Sequence, residues 1–262
     1  QGNMNWSIRT TNPPLPFRQA DIAVCDKDIR SLYYDFSVLN DLRKNLSEDS
    51  PRNFAILYAL IEAERLMTDF SSAKVAAARE ILAKELNKKG GTPSLEVSAL
   101  GHAHLDLAWL WPIRESRRKA VRTFSTALAL MEEYPDYLFG ASQPQQYQWV
   151  KEDSPHLYRR IKEAVSKGRI EPLGAMWIES DTNIPSGESL VRQILYGKRF
   201  IKQEFGVDSQ VMWLPDVFGY SAVLPQLMAK SGVKYMVTTK LSWCARFTNF
   251  PYHTFRWQGL SG

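Results

Sequence analysis

From residue 95 onward, short apolar segments alternate with longer segments of helical periodicity. This alternation predicts a parallel sheet with right-handed crossovers, built as a β/α barrel or a doubly wound sheet. Both folds place functional residues at the C-terminal ends of their strands. The predicted strands are 95–101, 137–143, 170–177, 210–216 and 234–240, and a sixth begins at 253–259.

Helix signals stand between these strands. Prolines in first turns, a serine N-cap and glycines after last turns mark the helix ends. The predicted helices are 112–134, 154–168 with Ser154 as N-cap, 186–205 before Gly206, and 222–230.

Residues 1–92 have a different pattern. After an irregular start that contains three prolines, two helices are predicted over 51–70 and 71–89, and Gly90 follows the second. The sequence therefore predicts a small helical region over 1–92 and an α/β domain over 93–262. Because the chain stops where the sixth strand would begin, we expect it to be the N-terminal part of a longer protein.

Composition argues against several classes of protein. The net charge of +5 comes from basic residues interleaved with acids, so no nucleic-acid surface is expected. No apolar run approaches the ~18 residues of a membrane span. No glycine-rich phosphate-binding motif follows a predicted strand, which argues against a nucleotide site. Cys25 and Cys244 imply no disulfide framework and favour a reducing compartment, the cytoplasm.

The segment GHAHLDLAWLW follows the first predicted strand. His102, His104 and Asp106 recur at every second residue, and such side chains point the same way in an extended chain. An imidazole and a carboxylate together are good ligands for Zn²⁺. The alternative is a hydrogen-bonded His-x-Asp pair that caps the next helix.

Further polar residues follow the later strands. Asp216 closes an apolar strand, and a carboxylate there can hold a metal or attack a glycosidic carbon; a turn aspartate is the alternative. Glu179, Asp181 and Asn183 could accept hydrogen bonds from sugar hydroxyls, or belong to a polar loop. Lys240 could hold a neighbouring carboxylate ionised by charge pairing, or lie on the surface.

Four of the tryptophans lie at or just past predicted strand ends: Trp109, Trp111, Trp177 and Trp243. Aromatic rings stack on the apolar faces of sugars, and carbohydrate clefts are often lined this way. Core packing explains any one of them better, but as a set around one rim they favour carbohydrate binding.

Five segments together resemble the glycoside hydrolase family 38 α-mannosidases: GHAHLDLAWLWP, SQPQQYQW, MWIESDTNIPSGESLVRQ, WLPDVFGYSAVLPQ and TTKLSW. The likeness is greatest to the branch that contains the cytosolic and vacuolar enzymes and their bacterial relatives. It covers about residues 95–262, and more weakly the helical region before them.

The resemblance implies a seven-stranded β/α barrel that binds one divalent cation, usually zinc. It implies a retaining exo-mannosidase that hydrolyses terminal α-linked mannose in oligosaccharides. The metal ligands fall on His104, Asp106 and Asp216, and Asp216 is also the nucleophile. Trp109 falls at the floor of the sugar site, and Lys240 at a basic position near the nucleophile.

The resemblance gives His102 no ligand role, because this residue matches a less constrained position. It also leaves two functional groups of the family without a residue in this chain. The family's general acid/base and its fourth metal ligand, a histidine, lie well downstream of the nucleophile motif, beyond residue 262. We therefore predict that residues 1–262 alone are inactive and bind metal poorly. Relatives in this branch are often multimers, so the resemblance also allows a homo-oligomer of the full-length protein.

Two other classes of function remain as alternatives: a different metal hydrolase on a β/α barrel, and a non-catalytic protein. Metal hydrolases of the amidohydrolase type also begin their site with His-x-His, but they need further histidines, and only His156 and His253 remain. Polysaccharide deacetylases share a similar barrel, but their acidic motif is absent. The other class is a non-catalytic carbohydrate-binding protein on the same barrel, which would have no use for a nucleophile at Asp216.

Overall fold

The computed structural model describes residues 21–90, 96–242, 250–260 and 262. The chain divides into two compact units, Gln1–Glu96 and Val97–Gly262. The predicted boundary between residues 92 and 93 lies outside the described residues and stays a prediction. Among the helices described, none is both long enough and apolar enough to cross a bilayer.

The first unit is built from three described helices, α1 (Lys27–Lys44), α2 (Pro51–Leu66) and α3 (Ser72–Leu86). The two helices predicted here are confirmed as α2 and α3, with shorter C-terminal ends. Asp26 caps α1 by accepting hydrogen bonds from two backbone N–H groups of its first turn, and Ser50 caps α2 by accepting one, from the Asn53 N–H. Apolar side chains from all three helices form one core: Leu32, Leu39, Ile56, Leu60, Val75 and Leu82.

The second unit alternates strands and helices, as the sequence predicts. Its described strands are β1 (Gly101–His102), β2 (Phe139–Ala141), β3 (Ile170–Pro172), β4 (Val211–Trp213) and β5 (Tyr235–Val237). Its helices are α4 (Ile113–Glu133), α5 (Pro144–Asp153), α6 (Pro155–Ser166), α7 (Gly187–Phe205) and α8 (Leu224–Lys230).

The strands are parallel and adjoin one another in chain order. One sheet has the order β1-β2-β3 and the other pairs β4 with β5. Just after β3, Gly174 forms a parallel bridge to Val211 of β4, and the Ala175 N–H donates to the Val211 carbonyl at 3.0 Å. The C-terminal ends of the strands therefore lie along one edge.

The predicted strands at 137–143, 170–177, 210–216 and 234–240 are confirmed at shorter lengths, and the other two differ more. The prediction of a buried strand over 95–101 is wrong for residues 96–100, which form no strand and leave Val97 and Leu100 exposed. Backbone pairing begins only at Gly101, whose N–H donates to the Leu138 carbonyl at 2.9 Å. The predicted start of a sixth strand at 253–259 is also wrong, because these described residues pair with no strand.

Helix α5 is absent from the sequence prediction. Its first turns contain several glutamines, which hide the apolar periodicity of buried Tyr147 and Val150. It ends at Asp153, because Pro155 cannot supply the N–H that would continue the ladder. Ser154 precedes α6 as predicted, but its side chain makes no capping hydrogen bond.

The packing of α7 depends on a close backbone approach at Gly197. A Cβ at this position would lie 2.4 Å from the Ala175 carbonyl oxygen and 2.8 Å from the Trp177 backbone nitrogen. These are main-chain atoms that cannot rotate away. Helix α7 therefore packs directly on the backbone of residues 175–177, the segment that follows β3.

We expect Gly197→Ala to destabilise the second unit by about 1 to 3 kcal/mol, because the added methyl group overpacks against backbone. Gly187→Ala is the matched control, since a Cβ at the first residue of the same helix meets no atom within 4 Å. It should change stability by less than about 0.5 kcal/mol. Urea unfolding of the two variants compares them, and equal midpoints would contradict the packing argument.

Candidate metal centre

Three potential metal ligands meet at the C-terminal ends of the strands. His104 and Asp106 follow β1, and Asp216 follows β4. The Nε2 atom of His104 lies 3.1 Å from Asp106 Oδ1 and 3.2 Å from Asp216 Oδ2. One ligand atom from each residue lies within 4.8 Å of the other two. The alternation seen in the sequence thus brings His104 and Asp106 to one side, where a carboxylate from a distant strand joins them.

This donor set fits a zinc-like ion. Bonds of about 2.1 Å to a tetrahedral centre separate two ligand atoms by about 3.4 Å, close to the observed spacing around His104 Nε2. One imidazole nitrogen and two carboxylate oxygens are ligands that Zn²⁺ accepts. A tetrahedral ion held by these three residues would keep one position open.

The other ring nitrogen of His104 has a partner of its own. Its Nδ1 lies 2.5 Å from Oε2 of Glu179, whose side chain is only 3% exposed. The hydroxyl of Ser142 donates to the second oxygen of Glu179. The sequence interpretation grouped Glu179 with sugar-binding residues, but both of its oxygens have protein partners. Its pairing with His104 carries no sequence signal, because 75 positions separate the two residues.

The carboxylates around His104 raise its pKa. Partial burial would lower this pKa, but the hydrogen bond to Glu179 and the negative charges of Glu179 and Asp106 outweigh burial. The pKa rises from 6.5 to about 9. At neutral pH the metal-free ring is therefore protonated, and its Nε2–H points between Asp106 and Asp216.

We expect the His104 ring to titrate with a midpoint of about 9 in the chelator-treated 262-residue chain. A histidine with a raised folded-state pKa stabilises the fold fully below pH 6.5, and this contribution is lost as the pH rises through about 9. NMR titration, with the signal assigned by its absence in His104→Ala, measures the midpoint. A midpoint below 7 would contradict the charge arrangement.

Asp216 divides its two oxygens between different partners. Oδ2 faces His104, whereas Oδ1 forms an ion pair with the Lys240 ammonium group. Lys240 is largely buried, with 9% of its side chain exposed, and its Nζ lies 4.5 Å from the centre of the Phe218 ring. Phe218 is itself 71% exposed. The structure thus places an exposed aromatic ring beside the cluster, which the sequence interpretation missed although it lies two residues after Asp216.

His102 hydrogen-bonds to two other strands and does not belong to the cluster of His104, Asp106 and Asp216. Its Nδ1 donates to the Gly140 carbonyl at 3.0 Å, and its Nε2 accepts the Trp213 indole N–H at 3.2 Å. This pattern fixes a neutral ring with both nitrogens used. Neither ring nitrogen of His102 is therefore available as a ligand in this arrangement.

Buried side chains hold the backbone that carries the ligands. Ser116 is fully buried, donates to the Asp106 carbonyl at 3.1 Å and accepts the Trp111 indole N–H at 2.9 Å. The Gln143 amide donates to the Leu105 carbonyl at 2.9 Å. These bonds fix the path of the chain after β1, and Trp111 contributes to them through its indole N–H.

The remaining predicted residues lie in the loops near these strand ends. Asp181 Oδ2 accepts the Ile184 backbone N–H at 2.9 Å, a contact typical of a loop aspartate, and its sugar-binding role stays a prediction. Trp109 is 54% exposed in the loop after Asp106. Trp177 packs edge-on against Phe200, so it does not join a rim of exposed tryptophans. Trp243 lies outside the described residues.

Comparison with known proteins agrees with the resemblance found in the sequence. The glycosyl hydrolases family 38 N-terminal domain matches residues 94–262. Alpha-mannosidase 2C1 of Mus musculus is 43% identical over 257 residues, which are 97% of this chain and 25% of that protein. Alpha-mannosidase of Saccharomyces cerevisiae is 38% identical over 270 residues, with the same two coverages.

Among solved structures, an alpha-mannosidase from Enterococcus faecalis is similar with a TM-score of 0.49 and 26% identity, over 53% of this chain and 16% of that chain. The chain spans about a quarter of the length of the curated relatives named above. The domain match extends through both ligand-bearing segments, the one after β1 and the one after β4. The chain therefore belongs to glycosyl hydrolases family 38.

Proposed function

We propose that the full-length protein is a metal-dependent, retaining exo-α-mannosidase that removes terminal α-linked mannose from oligosaccharides. The observation that carries this proposal is the position of Asp216, between the imidazole of His104 and the ammonium group of Lys240. The identity of 38–43% to proteins named alpha-mannosidase supports the substrate class.

We assign one divalent ion, Zn²⁺, to His104, Asp106 and Asp216. The donor types and their spacing around His104 Nε2 support this assignment. When bound, such an ion supplies a Lewis acid for oxygen atoms of the substrate. The amidohydrolase-type alternative receives no support, because the described ligand cluster contains a single histidine.

In the proposed reaction, a carboxylate oxygen of Asp216 forms a bond to the anomeric carbon as the bond to the leaving oxygen breaks. Lys240 holds a positive charge against this carboxylate and orients it. A second carboxylic acid gives its proton to the leaving oxygen and then accepts one from the water that releases mannose. The resemblance places that acid after residue 262, and we assign it to no residue of this chain.

Aromatic rings near the strand ends would contact the apolar face of the sugar. Trp109 and Phe218 are both more than half exposed, and an exposed ring can stack on a sugar without displacing core packing. Asp181 would hydrogen-bond sugar hydroxyls through the carboxylate oxygen that the Ile184 N–H does not use.

We also propose that the five described strands begin a seven-stranded barrel. The parallel order β1 to β5 and the Gly174–Val211 bridge support a sheet that continues in one direction. The hydrogen bond between His102 of β1 and Trp213 of β4 supports closure, since it joins strands that are not neighbours. The helical region over 1–92 would precede this barrel domain.

Three further properties belong to the same proposal. The protein acts in the cytoplasm, consistent with its two cysteines. Residues 1–262 alone are inactive, because the acid/base would be missing. The third is a homo-oligomer of the full-length protein, which light scattering would measure.

We expect Asp216→Asn to lower hydrolysis of an aryl α-mannoside by the full-length protein roughly 10³-fold or more, because the amide is a poor nucleophile. Asp208→Asn is the control, since Asp208 is an exposed aspartate paired with Lys198 at the surface. Steady-state kinetics of both variants provide the test. Equal activity of Asp216→Asn and wild type would overturn the assignment of the nucleophile.

Removing the metal should abolish the same activity. After chelator treatment and desalting, we expect hydrolysis to fall to background and to return on addition of Zn²⁺, because the ion proposed at His104, Asp106 and Asp216 would supply the Lewis acid for the substrate. Activity that is indifferent to the chelator would contradict a metal-dependent mechanism. Zinc binding without hydrolysis of any α-mannoside would favour the carbohydrate-binding alternative.

A further inference from the structure

We infer that Glu179 is a positioning residue that sets the orientation and tautomer of His104 for metal binding. It contacts the edge of the imidazole opposite to the one that faces Asp106 and Asp216. It therefore acts through His104, without itself reaching the ion. This inference rests on the proposed metal centre and extends it to a residue that lies behind the ligands.

The burial of Glu179 is the first observation that supports this role. A buried carboxylate is costly unless its oxygens are paired and hydrogen-bonded. Here Oε2 accepts from His104, and Oε1 accepts from the Ser142 hydroxyl. The side chain is thus held from two sides, by residues that follow β1 and β2.

The main chain near Glu179 is held as firmly as its side chain. The Gln143 amide oxygen accepts the Glu179 backbone N–H at 3.1 Å, while its nitrogen donates to the Leu105 carbonyl at 2.9 Å. Gln143 is itself buried. One buried amide therefore ties the segment that carries Glu179 to the residue directly after His104, which fixes the distance between the two side chains.

This arrangement determines which imidazole nitrogen can bind a metal. A neutral imidazole has one N–H and one lone pair. With the proton held on Nδ1 by Glu179, the lone pair lies on Nε2 and points towards Asp106 and Asp216. Carboxylate partners of this kind fix the ring and make the ligand nitrogen more basic, and their loss typically lowers metal affinity about 10- to 100-fold.

The test compares Zn²⁺ dissociation constants of the full-length protein, measured by competition with a chromophoric chelator. Glu179→Gln keeps the size and the acceptor of the side chain but removes its charge, and we expect binding about 10- to 100-fold weaker than wild type. The control is Glu171→Gln, which removes the same charge from an exposed residue of β3, and we expect less than a twofold change.

A spectroscopic readout separates positioning from a general loss of stability. The visible absorption of the Co²⁺-loaded protein reports the ligand geometry directly, so Glu179→Gln should shift its bands while far-ultraviolet circular dichroism stays as in wild type. Ser142→Ala, which removes one hydrogen bond from Glu179, should weaken Zn²⁺ binding in the same direction but less. This second variant decides the question if Glu179→Gln fails to fold.

Unchanged Zn²⁺ affinity and Co²⁺ spectra in Glu179→Gln would overturn the role of Glu179 and leave the metal centre standing. If Glu179→Gln does not fold, unchanged affinity in Ser142→Ala would do the same. Zinc binding that is insensitive to His104→Ala would instead overturn the metal centre, and the role of Glu179 with it.

Discussion

The described site depends on one backbone contact, the parallel bridge between Gly174 and Val211. It connects the strands β1 to β3 with β4 and β5, so that Asp216 reaches the strand end that carries His104 and Asp106. Residue 174 also lies close to the chain after β2, which requires a glycine: a Cβ there would lie 1.5 Å from the Ser142 carbonyl oxygen. The same segment then continues to Glu179. One stretch of chain therefore contains both the glycine that close backbone packing requires and the carboxylate that contacts the His104 imidazole.

Around this contact, polar groups are organised in two layers. His104, Asp106 and Asp216 form the layer that can reach a ligand, while Glu179 and Gln143 lie behind it. Several of the supporting bonds join a side chain to backbone: Gln143 to the Leu105 carbonyl and the Glu179 N–H, and Ser116 to the Asp106 carbonyl. Such bonds fix the position of a whole segment, and they explain how loops after short strands can hold three ligand atoms within a few ångströms.

The sequence predicted the parts of this arrangement that depend on local pattern. The alternation of polar residues after the first strand identified His104 and Asp106 as candidate ligands. Capping residues predicted both ends of α7: Ser186 accepts the Ser189 N–H at its start, and Gly206 adopts a φ of 73° after its end. Long-range partners could not be predicted in this way. Nothing near Glu179 indicates that its carboxylate faces His104, and the tryptophans could not be sorted into core and surface before Trp177 was seen against Phe200. The apolar residues at 95–101 predicted a buried strand that is not observed at 96–100. Burial requires a neighbouring element to pack against, and the periodicity of a sequence does not show whether one is present.

The hydrogen bond between His102 and Trp213 has a consequence for the order in which the protein is made. Its partners are 111 positions apart, and no shorter part of the chain can form it. At about 5 to 20 residues per second, a ribosome needs roughly 6 to 22 s to add that length. During this interval β1, with His102 and the following His104, has been synthesised without the strand that completes the surroundings of these residues. A nascent chain held on the ribosome thus passes through a stage in which the imidazoles of residues 102 and 104 are still open to solvent and to chaperones.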